Sequence, residues 1–174
     1  MASVPALRQT LATHQAGHLI AAYVADPNRL RTTALAGECR DHDSRAPALT
    51  ESAMRSEMKV SLGGIVAEEI FAGETSSYAS GDLARATSIA AAMVGRYGMA
   101  GSPVSMEPAA HNERTFVKRV FDDARARKDL EVLLREAKQD AVRSILEILP
   151  RPSVVEDPLD ERALVVSRRL HRNW

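Results

Sequence analysis

Cysteine is almost missing from this sequence. Cys39 is alone among 174 residues, so no disulfide framework can staple the fold. An excess of charge of either sign is also absent, since 23 basic side chains stand against 23 acidic ones with no block of like charge. That balance excludes attraction to a generic polyanion, and neither nucleic acid nor an anionic membrane surface is expected as a partner. No apolar run approaches the roughly 18 uninterrupted residues that a membrane-spanning helix needs, so direct membrane insertion is not expected. The sequence also lacks a basic start followed by an apolar stretch, which argues against a secretory signal and for a cytoplasmic location. What is present is 45% hydrophobic residues. At this length they suffice for one proper core and not for two ordinary domains, so a single domain over residues 1–174 is expected.

Hydrophobic spacing reads mainly as helix. From Pro5 to about Ala25, apolar residues recur at helical intervals through Leu7, Leu11, Ile20, Ala21 and Val24, and Asp26-Pro27-Asn28 ends the run. Residues 29–49 have no helical period; Leu30 to Leu35 forms at most a short β element near 29–40. Thr50 caps a second helix reaching about Phe71, with Met54, Met58, Leu62 and Ile65 as its buried stripe. Gly63-Gly64 falls inside it. Glycine there costs about 1 kcal/mol relative to alanine, so the pair predicts another helix crossing very close. A turn from Gly73 to Gly81 leads to a third helix, Asp82 to Tyr97, with Ala86, Ile89, Ala90, Met93 and Tyr97 on one face and Gly98 as its stop. A charged helix follows from Glu113 to Arg125, then a periodic one marked by Leu130, Leu134, Ala137, Ala141, Ile145 and Ile148, which Pro150 and Pro152 terminate. A last helix spans Leu159 to Leu170.

His14-Gln15-Ala16-Gly17-His18 sets two imidazoles one helical turn apart on one face, the spacing that grips a single zinc ion. Taken alone, the pair reads equally as two ordinary histidines. A catalytic zinc needs a third protein ligand, and Asp82 is the candidate. An aspartate opening a helix is also an ordinary N-terminal cap, and one carboxylate can serve both roles. Glu68 and Glu69 lie among Ile65, Val66, Ile70 and Phe71, so at least one points inward and needs a partner. They serve either as carboxylates orienting a metal-bound histidine or as partners of an arginine such as Arg85. Gln15 stands where an H-E-x-x-H site carries its general base; an amide has no basic site in the useful range.

These segments together resemble the FtsH-type zinc peptidases. The run 13–18 is similar to that family's H-E-A-G-H helix, 62–73 to its L-G-G-R-x-A-E-E segment with Ile65 in place of arginine, and 80–87 with Tyr97-Gly98-Met99 to its S-N-D-L-x-x-A-T helix and G-M ending. The resemblance implies a compact, mainly α metallopeptidase domain, with a zinc-site part over about residues 5–106 and a C-terminal helical part over about 111–174. It implies Zn²⁺ held by His14, His18 and Asp82, Glu68 near the metal, and Gln15 at the position of the catalytic glutamate; Glu69 stays a candidate supporting carboxylate on its place in the helix alone. The implied activity is hydrolysis of peptide bonds in unfolded proteins or peptides, impaired here by Gln15. That glutamine reads either as a substitution introduced into a peptidase or as the native residue of a zinc-binding pseudopeptidase that holds peptides or a partner. FtsH proteins join the peptidase to an ATPase module, and no G-x-x-x-x-G-K-[ST] phosphate loop occurs in this sequence. A separate unfoldase or assembly with further copies of the chain is the expected partnership.

Overall fold

The computed structural model describes residues 4–26, 50–106 and 112–148. These form α1 (Val4–Ala25), α2 (Glu51–Phe71), α3 (Ala79–Gly95), α4 (Glu113–Asp122) and α5 (Ala124–Ile148), with no strand among the described residues. The fold is mainly α. The β element expected near 29–40 and the helix expected from Leu159 to Leu170 lie outside the described residues.

Local chemistry sets the helix ends. Thr50 takes the Ala53 amide on its hydroxyl at 3.2 Å and starts α2 where the sequence predicts. Gly73, at φ 77°, turns the chain out of α2 in a left-handed conformation that side chains resist. α3 begins at Ala79, not at Asp82, and the residue before it, Tyr78, makes no side-chain cap bond. Asp82 is therefore inside the first turn of α3, where its carboxylate still complements the helix dipole. The helix expected to run from Glu113 to Arg125 is interrupted at Asp123, whose extended backbone ends α4 and whose carboxylate accepts the Ala126 amide at 2.8 Å to begin α5.

α2 is the axis of the packing. Its stripe of Met54, Met58, Leu62 and Ile65 is buried as the periodicity predicts, against Ala86, Ala90 and Met93 of α3, Phe116 and Val120 of α4, and Leu130, Leu133 and Ala137 of α5. Farther along, Val66, Ala67 and Ile70 meet Ala141 and Ile145 of α5, with Ile20 of α1 packed alongside. Tyr97 and Ile148 lie at helix ends and are exposed, so neither joins the core expected of it.

α1 corrects the sequence reading more substantially. Of its expected stripe, only Ala21 is buried among the side chains described, and Leu11 is 40% exposed. The residues that meet α2 are His14, Gly17, His18 and Ala21. Close backbone approach decides this. A Cβ at Gly17 would stand 2.1 Å from the Gly63 carbonyl oxygen, and one at Gly63 would stand 2.6 Å from the Gly17 carbonyl oxygen. The crossing expected at Gly63-Gly64 is therefore made by α1.

Gly17→Ala tests the crossing with a clear sign. Alanine favours an unhindered helix by about 1 kcal/mol. Here its methyl would meet backbone that no rotamer change relieves, so a net loss of about 2–3 kcal/mol is expected. A lower urea midpoint with unchanged slope is the expected result; an equal or higher midpoint would show that the helices are not in contact there.

Candidate metal centre

The α1–α2 crossing aims both imidazoles. His18 Nδ1 lies 2.8 Å from the carbonyl oxygen of Val60 in α2. A carbonyl can only accept, so that nitrogen donates its proton there. His14 Nδ1 donates to Glu68 Oε1 at 2.9 Å. Glu68 is completely buried, and its carboxylate also accepts from the Ser76 amide at 2.5 Å and the Ser76 hydroxyl at 2.7 Å. Both rings thus use their Nδ1 protons outward and present bare Nε2 lone pairs to one point.

Asp82 enters from the first turn of α3. Its Oδ2 lies 2.9 Å from His14 Nε2 and 3.3 Å from His18 Nε2, while the two Nε2 atoms are 3.1 Å apart. With both rings neutral and their protons on Nδ1, three acceptors face one another. A single added proton could bridge one edge of this triangle and would leave the others repulsive; a cation at its centre satisfies all three. Ligands of a tetrahedral zinc at about 2.0–2.1 Å per nitrogen stand about 3.3–3.4 Å apart, so the triangle fits zinc after a small opening. Two imidazoles and one carboxylate are a donor set that suits zinc and leaves a fourth position for water or substrate.

The surroundings are asymmetric. Gly64 forms the floor, where a Cβ would stand 2.6 Å from His14 Cε1 and 2.7 Å from the Nε2 atom of each histidine. The half-exposed ring of Tyr78 lies 6.2 Å from the His14 ring, tilted by 53°. Gln15 is exposed on α1 between the two histidines.

Among the residues singled out from sequence, His14, His18, Asp82 and Glu68 come together, and Gln15, exposed, follows His14 on α1. Glu69 does not join them. It faces α5 and takes the Lys138 ammonium at 2.7 Å, because adjacent positions on a helix point about a quarter-turn apart. Arg85, the alternative partner for these glutamates, pairs instead with Glu57. Three contributors were not singled out from sequence. The Val60 carbonyl carries no residue signature, Ser76 lies in an aperiodic turn, and Gly64 was read only as half of a helix-crossing pair.

The model of a family described as Peptidase family M41 matches residues 2–149. The ATP-dependent zinc metalloprotease FtsH 2 of Symbiobacterium thermophilum is 32% identical over 152 residues, covering 82% of this chain and 26% of that protein. FtsH 3 of Sphaerobacter thermophilus, also named an ATP-dependent zinc metalloprotease, is 31% identical over 183 residues, covering 90% of this chain and 34% of its own length. FtsH of Slackia heliotrinireducens is 34% identical over 122 residues, or 66% of this chain and 16% of its own length. The chain thus spans about a third or less of these relatives.

Proposed function

The chain belongs to peptidase family M41, and we propose that it is the zinc-binding proteolytic part of an FtsH-type protease, with Zn²⁺ held by His14, His18 and Asp82. Its substrates are unfolded proteins or peptides. When bound, the ion supplies a Lewis acid that polarises a peptide carbonyl and favours attack by water. The chain's own residues orient that chemistry. Glu68 and the Val60 carbonyl hold the two imidazoles with Nε2 free, Gly64 keeps the floor low enough for both rings, and Asp82 adds the third ligand from α3. Tyr78 flanks the approach to the site.

Residue 15 is the position that should carry the proton from water to the leaving amine. Glutamine keeps the length and some hydrogen bonding of glutamate without a usable basic site, so this chain binds zinc and peptide while turning over slowly. Gln15 also supports a second reading, a zinc-binding pseudopeptidase that holds a peptide or partner without cutting it. Ile65, where the family carries arginine, agrees with that reading; it is 5% exposed and packed in the core. In either case unfolding of a substrate needs an ATP-driven unfoldase module, on the same polypeptide or a separate one, and assembly of several copies fits the same partnership.

The observation that carries the proposal is the convergence of His14 Nε2, His18 Nε2 and the Asp82 carboxylate within 3.3 Å of one another. Asp82→Ala tests it by removing one vertex while leaving the core untouched. Tightly bound zinc near one ion per chain is expected for the parent, with affinity falling by roughly 10²-fold or more in the variant. Equal zinc content in both proteins, measured by elemental analysis after dialysis against a weak chelator, would remove Asp82 from the site.

A further inference from the structure

A fully buried carboxylate has to be given donors, and Glu68 receives all three of those described from two residues. One is His14. The other is Ser76, which supplies both its backbone amide, to Oε2 at 2.5 Å, and its hydroxyl, to Oε1 at 2.7 Å. The hydroxyl shares Oε1 with the His14 Nδ1 proton. Its own lone pair accepts from the Tyr78 amide at 3.3 Å, which leaves its proton for Glu68. Ser76 thus fixes the position of the oxygen that accepts the His14 Nδ1 proton. It also lies in the turn between α2 and α3, so the same bonds tie the start of the Asp82-bearing helix to the end of the helix that orients the histidines.

We propose that Ser76 is a positioning residue for the metal site, acting through Glu68 to hold the His14 ring and to keep Asp82 in register with it. The inference rests on the zinc reading above, and its test includes a readout that needs no metal. The Ser76→Ala change removes the hydroxyl donor while retaining the backbone one. Zinc affinity, measured by competition with a chromophoric chelator, is expected to fall about tenfold, the lower end for loss of an outer partner. In the metal-free protein, the ring-nitrogen NMR shifts of His14 are expected to move from a single Nδ1–H tautomer towards a mixture. Ser76→Thr keeps the hydroxyl and is expected to restore both; Ser76→Val, nearly isosteric with it, replaces the alanine form if that fails to fold.

A variant that only melts earlier, with His14 shifts unchanged and zinc affinity within about twofold of the parent, would overturn the proposal. So would a threonine form that behaves like the alanine one. If the parent itself takes up no zinc, the metal reading falls, and the His14 shifts alone decide whether Ser76 orients the ring.

Discussion

Gln15→Glu is expected to raise peptide-bond cleavage by about 10²–10⁴-fold, the usual contribution of a positioned general base, with zinc content unchanged. The change adds no volume and touches no core contact, because residue 15 is exposed on α1. It lies three residues before His18, on the side of the helix that borders the ligand triangle. A carboxylate there can accept a proton from attacking water and return it to the leaving amine, whereas the amide can only hydrogen-bond. The assay should use an unfolded protein such as casein, so that no unfoldase is required. A gain of cleavage with constant zinc would establish a peptidase held back at its base. Zinc in both proteins with cleavage in neither would favour the pseudopeptidase reading.

Gly64→Ala is the second large effect, and it acts on the candidate metal site without replacing any of its side chains. The new methyl would stand within 2.7 Å of the His14 and His18 Nε2 atoms. Neither ring can simply swing away, because His14 is tied to Glu68 and His18 to the Val60 carbonyl. Relief therefore has to open the triangle or break one of those bonds. Helix propensity favours alanine by about 1 kcal/mol, so the variant should stay folded. A loss of zinc affinity of at least about 10²-fold is expected, in a protein that still folds without metal. An alanine form that binds zinc as the parent does would mean that the floor of the site lies elsewhere.

Where hydrophobic side chains do the packing, the sequence was a good guide. α2 has large residues at regular helical spacing, and all four of its expected core positions are buried. α1 misled because glycine, alanine and histidine face its neighbour, and hydrophobic periodicity gives such residues little weight. The helix start expected at Asp82 was wrong for a related reason. Aspartate is a strong capping signal, yet Ala79 and Ser80 already lie in the helix, and the carboxylate is turned to the histidines. The candidate ligand set of His14, His18 and Asp82 was legible because its spacing and residue types follow from coordination chemistry, and the structure brings these three side chains together. Their supports were not, since one is a backbone carbonyl, one a serine in an irregular turn, and one a glycine that matters for the atoms it lacks.

The most direct test of the zinc site is anomalous X-ray scattering at the zinc edge from crystals of the parent protein loaded with one equivalent of Zn²⁺. A single strong peak bounded by His14 Nε2, His18 Nε2 and the Asp82 carboxylate is the expected result. A peak at any other set of side chains, or no peak at this triangle, would contradict the account.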